Sequence, residues 1–384
     1  MPWKQTCPMD EKIKFIAAVK CGQDSFAEIC RQFRISRKSG YKLMQRYEQE
    51  GEQGLKERSR APHRHANAIS DAWADELLKV KRRYPNFGPG KVLDRLVLEG
   101  REREELPAVS TVGELFKRHG LVKARRSRAK AARSTAPLSH ASTPNAVWSI
   151  DFKGQFVLGN RRWCYPLTLT DNASRYLLVC RGMHRPTERG VWPYMELAFR
   201  EYGLPRALRS DNGSPFASTG LGGLSRLSVW WLKLGILLER IAPGKPQQNG
   251  RHERMHRTLK QENELPKHDL RAQQRRFEWF QRFYNEERPH DSLDGLTPSH
   301  CYHASPRSYP ATVPEPQYPV GFTVRRVRSN GQIKWEGAHV FVGEALVGEP
   351  IGLRQVDEHC WQVWFCTLKL GLLDVRSGKI SRPQ

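Results

Sequence analysis

At Ala146 the residue pattern switches from helical to extended, and the order of the elements beyond it leaves few ways to fold. Val147–Phe152 alternates as a strand, LGNR at 158–161 is a hairpin turn, and 163–170 and 175–181 read as the next two strands. A helix over 189–201, a short strand Ala207–Ser210, a helix over 224–234, a strand over 236–241 and a long helix over 248–264 come next. Three antiparallel strands followed by alternating helices and parallel strands make an α/β domain with a mixed sheet, assigned to 143–306.

Three acids stand at the ends of these elements. Asp151 lies on the first strand, Asp211 follows the fourth, and Glu253 sits in the first turns of the last helix. In such a sheet strand ends gather at one edge, where a helix start can add a third carboxylate. Carboxylate oxygens are hard ligands suited to Mg2+ or Mn2+. Two such ions, about 3.5–4 Å apart, serve in-line displacement at phosphorus without a covalent enzyme intermediate. By spacing alone Glu239 and Glu262 stand as alternatives to Glu253. Asp171, in DNAS at 171–174, has the composition of a hairpin turn and is read as structural. Asn212 and Gly213 suit a tight loop after the strand, and Gln247, Gln248 and Asn249 suit either DNA contact or capping of the Glu253 helix.

Ahead of Ala146 the chain is helical. Residues 10–50 read as three short helices, with SFAE at 25–28 as a capping box and Ser36 as the cap of the third. Phe26, Ile29, Phe33, Leu43 and Tyr47 can fill an interior while Arg37, Lys38, Lys42 and Arg46 line the third helix, a helix-turn-helix pattern. We assign it 1–65, including part of a polar linker at 51–68. A second helix-turn-helix unit, 66–142, holds helices over 71–84, 90–98 and 111–119, the last with TVGE at 111–114 as a capping box. It ends in KARRSRAKAAR at 123–133, where Arg125, Arg126 and Arg128 are placed to lie along phosphates. Past a proline-rich linker, short alternating strands such as 323–328 and 339–342 predict a small β-barrel at 318–376.

Charge selects the partner. Lys and Arg number 64 against 40 Asp and Glu, a formal charge of +24, which favours a polyanion such as double-stranded DNA. No apolar run reaches the roughly 18–20 residues that span a bilayer, and the N-terminus lacks a signal-peptide pattern, so the expected location is cytoplasmic, with no membrane partner. The eight cysteines are scattered, as in a chain with reduced thiols; His300, Cys301 and His303 cluster without the second ligand pair that a zinc site needs.

Four blocks turn these readings into one. WSID at 148–151, SDNGSPF at 210–216, PGKPQQNGRHE at 243–253, and YNEERPH at 284–290 with Leu293 and TP at 297–298 resemble the integrase-core, DDE-type transposases of bacterial insertion sequences, within the retroviral-integrase superfamily. The resemblance covers 146–300 specifically and the preceding helices more loosely. It implies a multidomain protein: all-α helix-turn-helix units, a central α/β ribonuclease H-like core and the small C-terminal β-barrel. It also implies that Asp151, Asp211 and Glu253 form a metal-binding triad for Mg2+ or Mn2+, with two ions. The implied reactions are hydrolysis at element ends followed by transesterification into target DNA, by a homo-multimer assembled on DNA in the bacterial nucleoid. His256, Arg257 and Lys260, at helical spacing from Glu253, would meet the DNA terminus. One departure is the interval of 41 residues between Asp211 and Glu253, longer than in many relatives. The Gly-rich stretch 218–223 can absorb it as a loop. A non-catalytic DNA-binding regulator would need the helices and the charge but not the acidic blocks. A nuclease of the same fold would keep the triad and never join strands.

Overall fold

The computed structural model describes residues 7–58, 69–122, 141–242 and 246–382, and the chain divides into two compact units, 1–68 and 69–384. The first is trihelical: α1 (Pro8–Cys21), α2 (Phe26–Gln32) and α3 (Arg37–Glu50) enclose Phe15, Ile16, Ile29 and Cys30. The Ser25 hydroxyl accepts the Glu28 amide at 3.3 Å as expected, but the Glu28 carboxylate pairs with Arg31 instead of completing a capping box. Ser36 caps α3 through the Ser39 amide, 3.1 Å away. Gly40 lets α3 approach closely, since a Cβ there would sit 2.8 Å from the Cys30 sulfur and 3.1 Å from the Phe15 ring. Residues 51–55, expected as linker, form a 3-10 turn that buries Leu55 in the same core, its carbonyl accepting Lys12 Nζ at 3.0 Å.

The second unit opens with α4 (Asp71–Arg83), α5 (Pro89–Leu98) and α6 (Val109–Arg118). The helix α6 starts at Val109 behind Ala108, so Thr111 lies inside its first turn and the expected capping box at 111–114 does not form. The mixed sheet comes next, with β1 (Val147–Phe152), β2 (Phe156–Val157), β3 (Trp163–Asp171), β4 (Leu177–Met183), helix α7 (Glu188–Tyr202), β5 (Ala207–Ser210), helix α8 (Arg226–Lys233), β6 (Leu237–Arg240), then α9 (Gly250–Glu262) and α10 (Leu270–Arg282). β3 pairs antiparallel with β1 and β4, while β5 is parallel to both β1 and β6. β2 continues the β1 edge of β3, because Phe156↔Cys164 extends the register of Phe152↔Leu167 with one residue of slip.

Alternation along β1 divides its side chains between two faces. Trp148 and Ile150 join Leu167, Leu169, Phe199 and Trp231 in a core under α7 and α8. Ser149 and Asp151 stand on the other face, opposite Thr170 and Thr168 of β3, where α9 lies. Beyond the helix expected to end at 264 comes α10, capped by Asp269 through the Ala272 amide at 2.8 Å and burying Phe277 and Phe280. Leu270, Phe277 and Phe280 give it an apolar face, while most of the rest of α10 is polar. That polarity has a use at the free edge of β4: Gln274 accepts the Gly182 amide, Gln281 donates to the Leu177 and Leu178 carbonyls, and Asn285 bonds both the amide and the carbonyl of Leu177. An otherwise unpaired strand edge is thereby satisfied.

Helices α4–α6 share one core with α9 and α10, in which Leu77, Phe87, Val92 and Phe116 meet Met255, Leu259, Phe277 and Phe283. Tyr84 donates to Glu287 at 2.8 Å and Lys91 to the Pro289 carbonyl at 2.6 Å, so the YNEERPH block is held from the N-terminal side. At the other end β7 (Thr323–Arg326), β8 (Gln332–Trp335), β9 (Ala338–Phe341), β10 (Pro350–Gln355), β11 (Cys360–Phe365), β12 (Leu368–Asp374) and β13 (Lys379–Ser381) form the expected small β domain. It is not a closed barrel. The hairpin β8–β9 makes its own two-stranded sheet, so β7 pairs directly with β10 and the order β13-β12-β11-β10-β7 keeps two edges. Its core is shared with Leu224, Val229 and Leu232 around α8.

Candidate active site

Asp151 is the centre of the polar face. Its carboxylate Oδ1 accepts the Phe152 amide at 2.7 Å, and about a quarter of the side chain is exposed. Burial first, then the charge of Asp211 and further that of Glu253, push its carboxyl up from 3.8 to about 7, against the Phe152 amide and Lys153. Asp211 and Glu253 are therefore near enough to act on it electrostatically.

Asp211 lies just past β5 and turns back on its own loop, its Oδ1 accepting the Gly213 amide at 3.1 Å. A Cβ on Gly213 would stand 3.0 Å from Asp211 Oδ2, so a side chain there would crowd the carboxylate. Asn212 donates to the Ile241 carbonyl at 2.7 Å, tying this loop to the end of β6. Glu253 is exposed in the first turn of α9. Of the two acids that spacing left open, Glu239 is paired with Arg209 at 2.8 Å and nearly buried, and Glu262 at the far end of α9 accepts Asn86 at 3.1 Å. Asp171 is buried and committed to the Asn145 amide and to both the amide and hydroxyl of Ser174, all within 2.8 Å.

Beneath Asp151 lies a network that sequence reading misses. Thr168 Oγ1 donates to the Asp151 carbonyl at 3.1 Å and touches His252 Nε2 at 2.8 Å and His256 Nε2 at 2.7 Å. Thr170 Oγ1 meets His252 Nδ1 at 2.7 Å. Burial holds both imidazoles neutral, pulling His252 down to about 3 and His256 lower still. His256 Nδ1 faces Asp151 Oδ2 at 4.0 Å. Among the described residues, Asp151, His252 and His256 are the one group of His, Cys, Asp or Glu whose ligand atoms converge within 4.8 Å. The available sign was the four-residue spacing of the two histidines, which puts them on one helical face.

This corrects the expectation that His256 meets DNA with Arg257 and Lys260. His256 points into the fold, because α9 packs that side against β3, whereas Arg257 and Lys260 are exposed. Arg37, Lys38 and Lys42 are exposed on α3. Arg125, Arg126 and Arg128 lie outside the described residues. Gln248 neither caps α9 nor is free, since its Oε1 accepts the Ala242 amide at 2.7 Å, and Asn249 precedes α9 without a side-chain bond to it. No helix among the described residues is long and apolar enough to cross a membrane.

Residues 141–246 and 234–298 match two integrase core domain families, and 322–381 match the C-terminal domain of IS481 family transposases. Residues 11–63 match a helix-turn-helix domain and 39–116 a homeodomain-like domain. The chain is 29% identical over 238 residues to an uncharacterized protein of insertion element IS407 from Burkholderia multivorans, covering 61% of this chain and 81% of that one. It is 28% identical over 249 residues to an uncharacterized protein of insertion element IS476 from Xanthomonas euvesicatoria, covering 63% and 68%. A solved structure of the HTLV-2 integrase catalytic core domain in complex with magnesium aligns at 16% identity and a TM-score of 0.31, over 43% of this chain and all of that one. With an integrase core on a ribonuclease H-like sheet, helix-turn-helix domains before it and an IS481-type domain behind it, the chain belongs to the integrase-core transposases of insertion sequences.

Proposed function

We propose that the protein cuts DNA at the ends of its element and joins those ends to target DNA, using Asp151, Asp211 and Glu253 as one site. The observation that carries this reading is placement: Asp151 on β1, Asp211 just past the neighbouring parallel β5, and Glu253 in the first turn of α9, with the charge of both acids acting on the largely buried Asp151 carboxyl. Left alone such a cluster is electrostatically unfavourable, and an oxygen-rich, anionic donor set of this kind fits Mg2+ or Mn2+. One or two such ions, when bound, would supply Lewis acidity at the scissile phosphate. The protein's own part is to hold the three carboxylates at fixed positions: Phe152 N–H and Gly213 N–H orient Asp151 and Asp211, and α9 presents Glu253.

Recognition is assigned to the basic helical surfaces. Arg37, Lys38 and Lys42 on α3 have the position of a major-groove reading helix, and Arg257 and Lys260 flank Glu253 on the exposed side of α9. A multimer assembled on two DNA ends belongs to the same reading. Replacing Arg37, Lys38 and Lys42 together by Ala should reduce discrimination between end DNA and random DNA in a competition binding assay; undiminished discrimination would move recognition elsewhere. Neutralising Arg257 and Lys260 should weaken end binding and lower its salt slope by about one per lost phosphate contact. An unchanged slope returns this face of α9 to ordinary solvated surface.

The direct test is incubation of the purified protein with its flanking DNA and Mg2+, with mapping of cut and joined ends. Joined products are expected. Cut ends that never join would favour a nuclease working with the same triad, and absence of any cleavage would favour a DNA-binding regulator.

A further inference from the structure

Hydrogen bonding in the buried network fixes where its protons are. Thr168 has one O–H and two lone pairs. The Asp151 carbonyl can only accept, so Thr168 donates there and its lone pairs receive Nε2–H from both His252 and His256. The opposite choice would set two acceptors against each other at 3.1 Å. His252 then has Nδ1 as an acceptor, which the Thr170 hydroxyl serves. Both of its nitrogens are occupied. His256 differs: with Nε2 protonated, its Nδ1 carries a lone pair with no hydrogen-bond donor among the described residues and lies 4.0 Å from Asp151 Oδ2.

Two acceptor atoms this close in a largely buried site favour a cation between them. Metal–nitrogen and metal–oxygen bonds of about 2.0–2.2 Å span this separation when the two ligands stand nearly opposite across the ion. Thr168 holds the opposite ring nitrogen, Nε2, as outer hydrogen bonds hold metal-ligating histidines, fixing tautomer and ring orientation together. We propose that His256 Nδ1 is a metal ligand beside Asp151, so that the site takes a transition ion such as Mn2+ more readily than an all-carboxylate site would, relative to Mg2+. The inference rests on the proposed carboxylate metal site and adds one nitrogen donor to it. A nitrogen donor favours first-row transition ions over Mg2+, strongly for the later ones and modestly for Mn2+, whereas Mg2+ prefers oxygen and retains water. His252, although closer in sequence to Glu253, has both ring nitrogens engaged by Thr168 and Thr170.

The test uses the full chain and Mn2+ alone, with the electron spin echo of the bound ion reporting nitrogen nuclei in its coordination shell. Wild type should show imidazole nitrogen coupling. His256→Gln should lose it and bind Mn2+ about tenfold more weakly, with Mg2+ affinity changed less. Asp151→Asn should lose the ion itself. Mn2+ bound in an Asp151-dependent way without nitrogen coupling would overturn the ligand assignment and leave the carboxylate site standing. Coupling that survives in His256→Gln would also overturn it. Binding that ignores Asp151 would overturn both, and the wild-type measurement decides even if the variant fails to fold.

Discussion

Asp151→Asn, Asp211→Asn and Glu253→Gln should each abolish cleavage and joining while DNA binding survives. The amides match the carboxylates in shape but remove the charge that makes them hard ligands, so each change strikes the metal site and little else. The loss should exceed the roughly 100-fold typical of removing a residue that merely supports a metal ligand. DNA affinity should hold, because the basic side chains assigned to it, on α3 and at Arg257 and Lys260, are untouched. Partial rescue at low salt, expected for the Arg257 and Lys260 double substitution, should not appear for any of the three. The measurement is single-turnover cleavage and strand transfer beside binding by fluorescence anisotropy. Normal joining by Asp211→Asn in Mg2+ would remove Asp211 from the site.

Asp151→Asn should also make the metal-free protein more stable. An acid whose carboxyl is raised from 3.8 to about 7 in the fold binds its proton more tightly folded than unfolded. Its ionisation therefore costs nothing below pH 3.8, weighs against folding progressively as pH rises from there, and weighs fully above about 7. A shift of this size corresponds to about 4 kcal/mol as an upper bound, since each unit of pKa is worth about 1.4 kcal/mol. At a pH of about 8 in chelator, Asp151→Asn should unfold several degrees higher than wild type, with the advantage vanishing near a pH of about 4. Millimolar Mg2+ or Mn2+ should close the gap from the wild-type side only, because a ligand of the native state stabilises by mass action. Calorimetry over this pH range with and without metal checks it. A variant no more stable than wild type at the alkaline end would mean that the three carboxylates do not burden the fold. The trade between stability and function is the usual one at a preorganised charged site.

How much of the chain is legible in its sequence depends on the range of the interactions involved. The strand bearing Asp151, the strand that ends just before Asp211, the helix bearing Glu253 and the caps at Ser25 and Ser36 are written in short windows: alternation, turn residues and local hydroxyls act over a few positions, so spacing reveals them. What is not legible locally in α10 is the use of its glutamines, which answer the edge of β4, about ninety residues earlier, rather than any neighbour in sequence. The open C-terminal sheet depended likewise on which strand β7 would find, and the second helical unit's merger with the core on which face α9 and α10 would offer. At the site, sequence blocks single out Asp151, Asp211 and Glu253 as the proposed acids, each in its own local setting. Only tertiary structure decided that Glu239 belongs to Arg209, and that His256 turns inward to Thr168 and Asp151 while Arg257 and Lys260 stay outside. A helix's sequence fixes which residues share a face; which way that face turns depends on the surface it packs against, and that surface comes from β3.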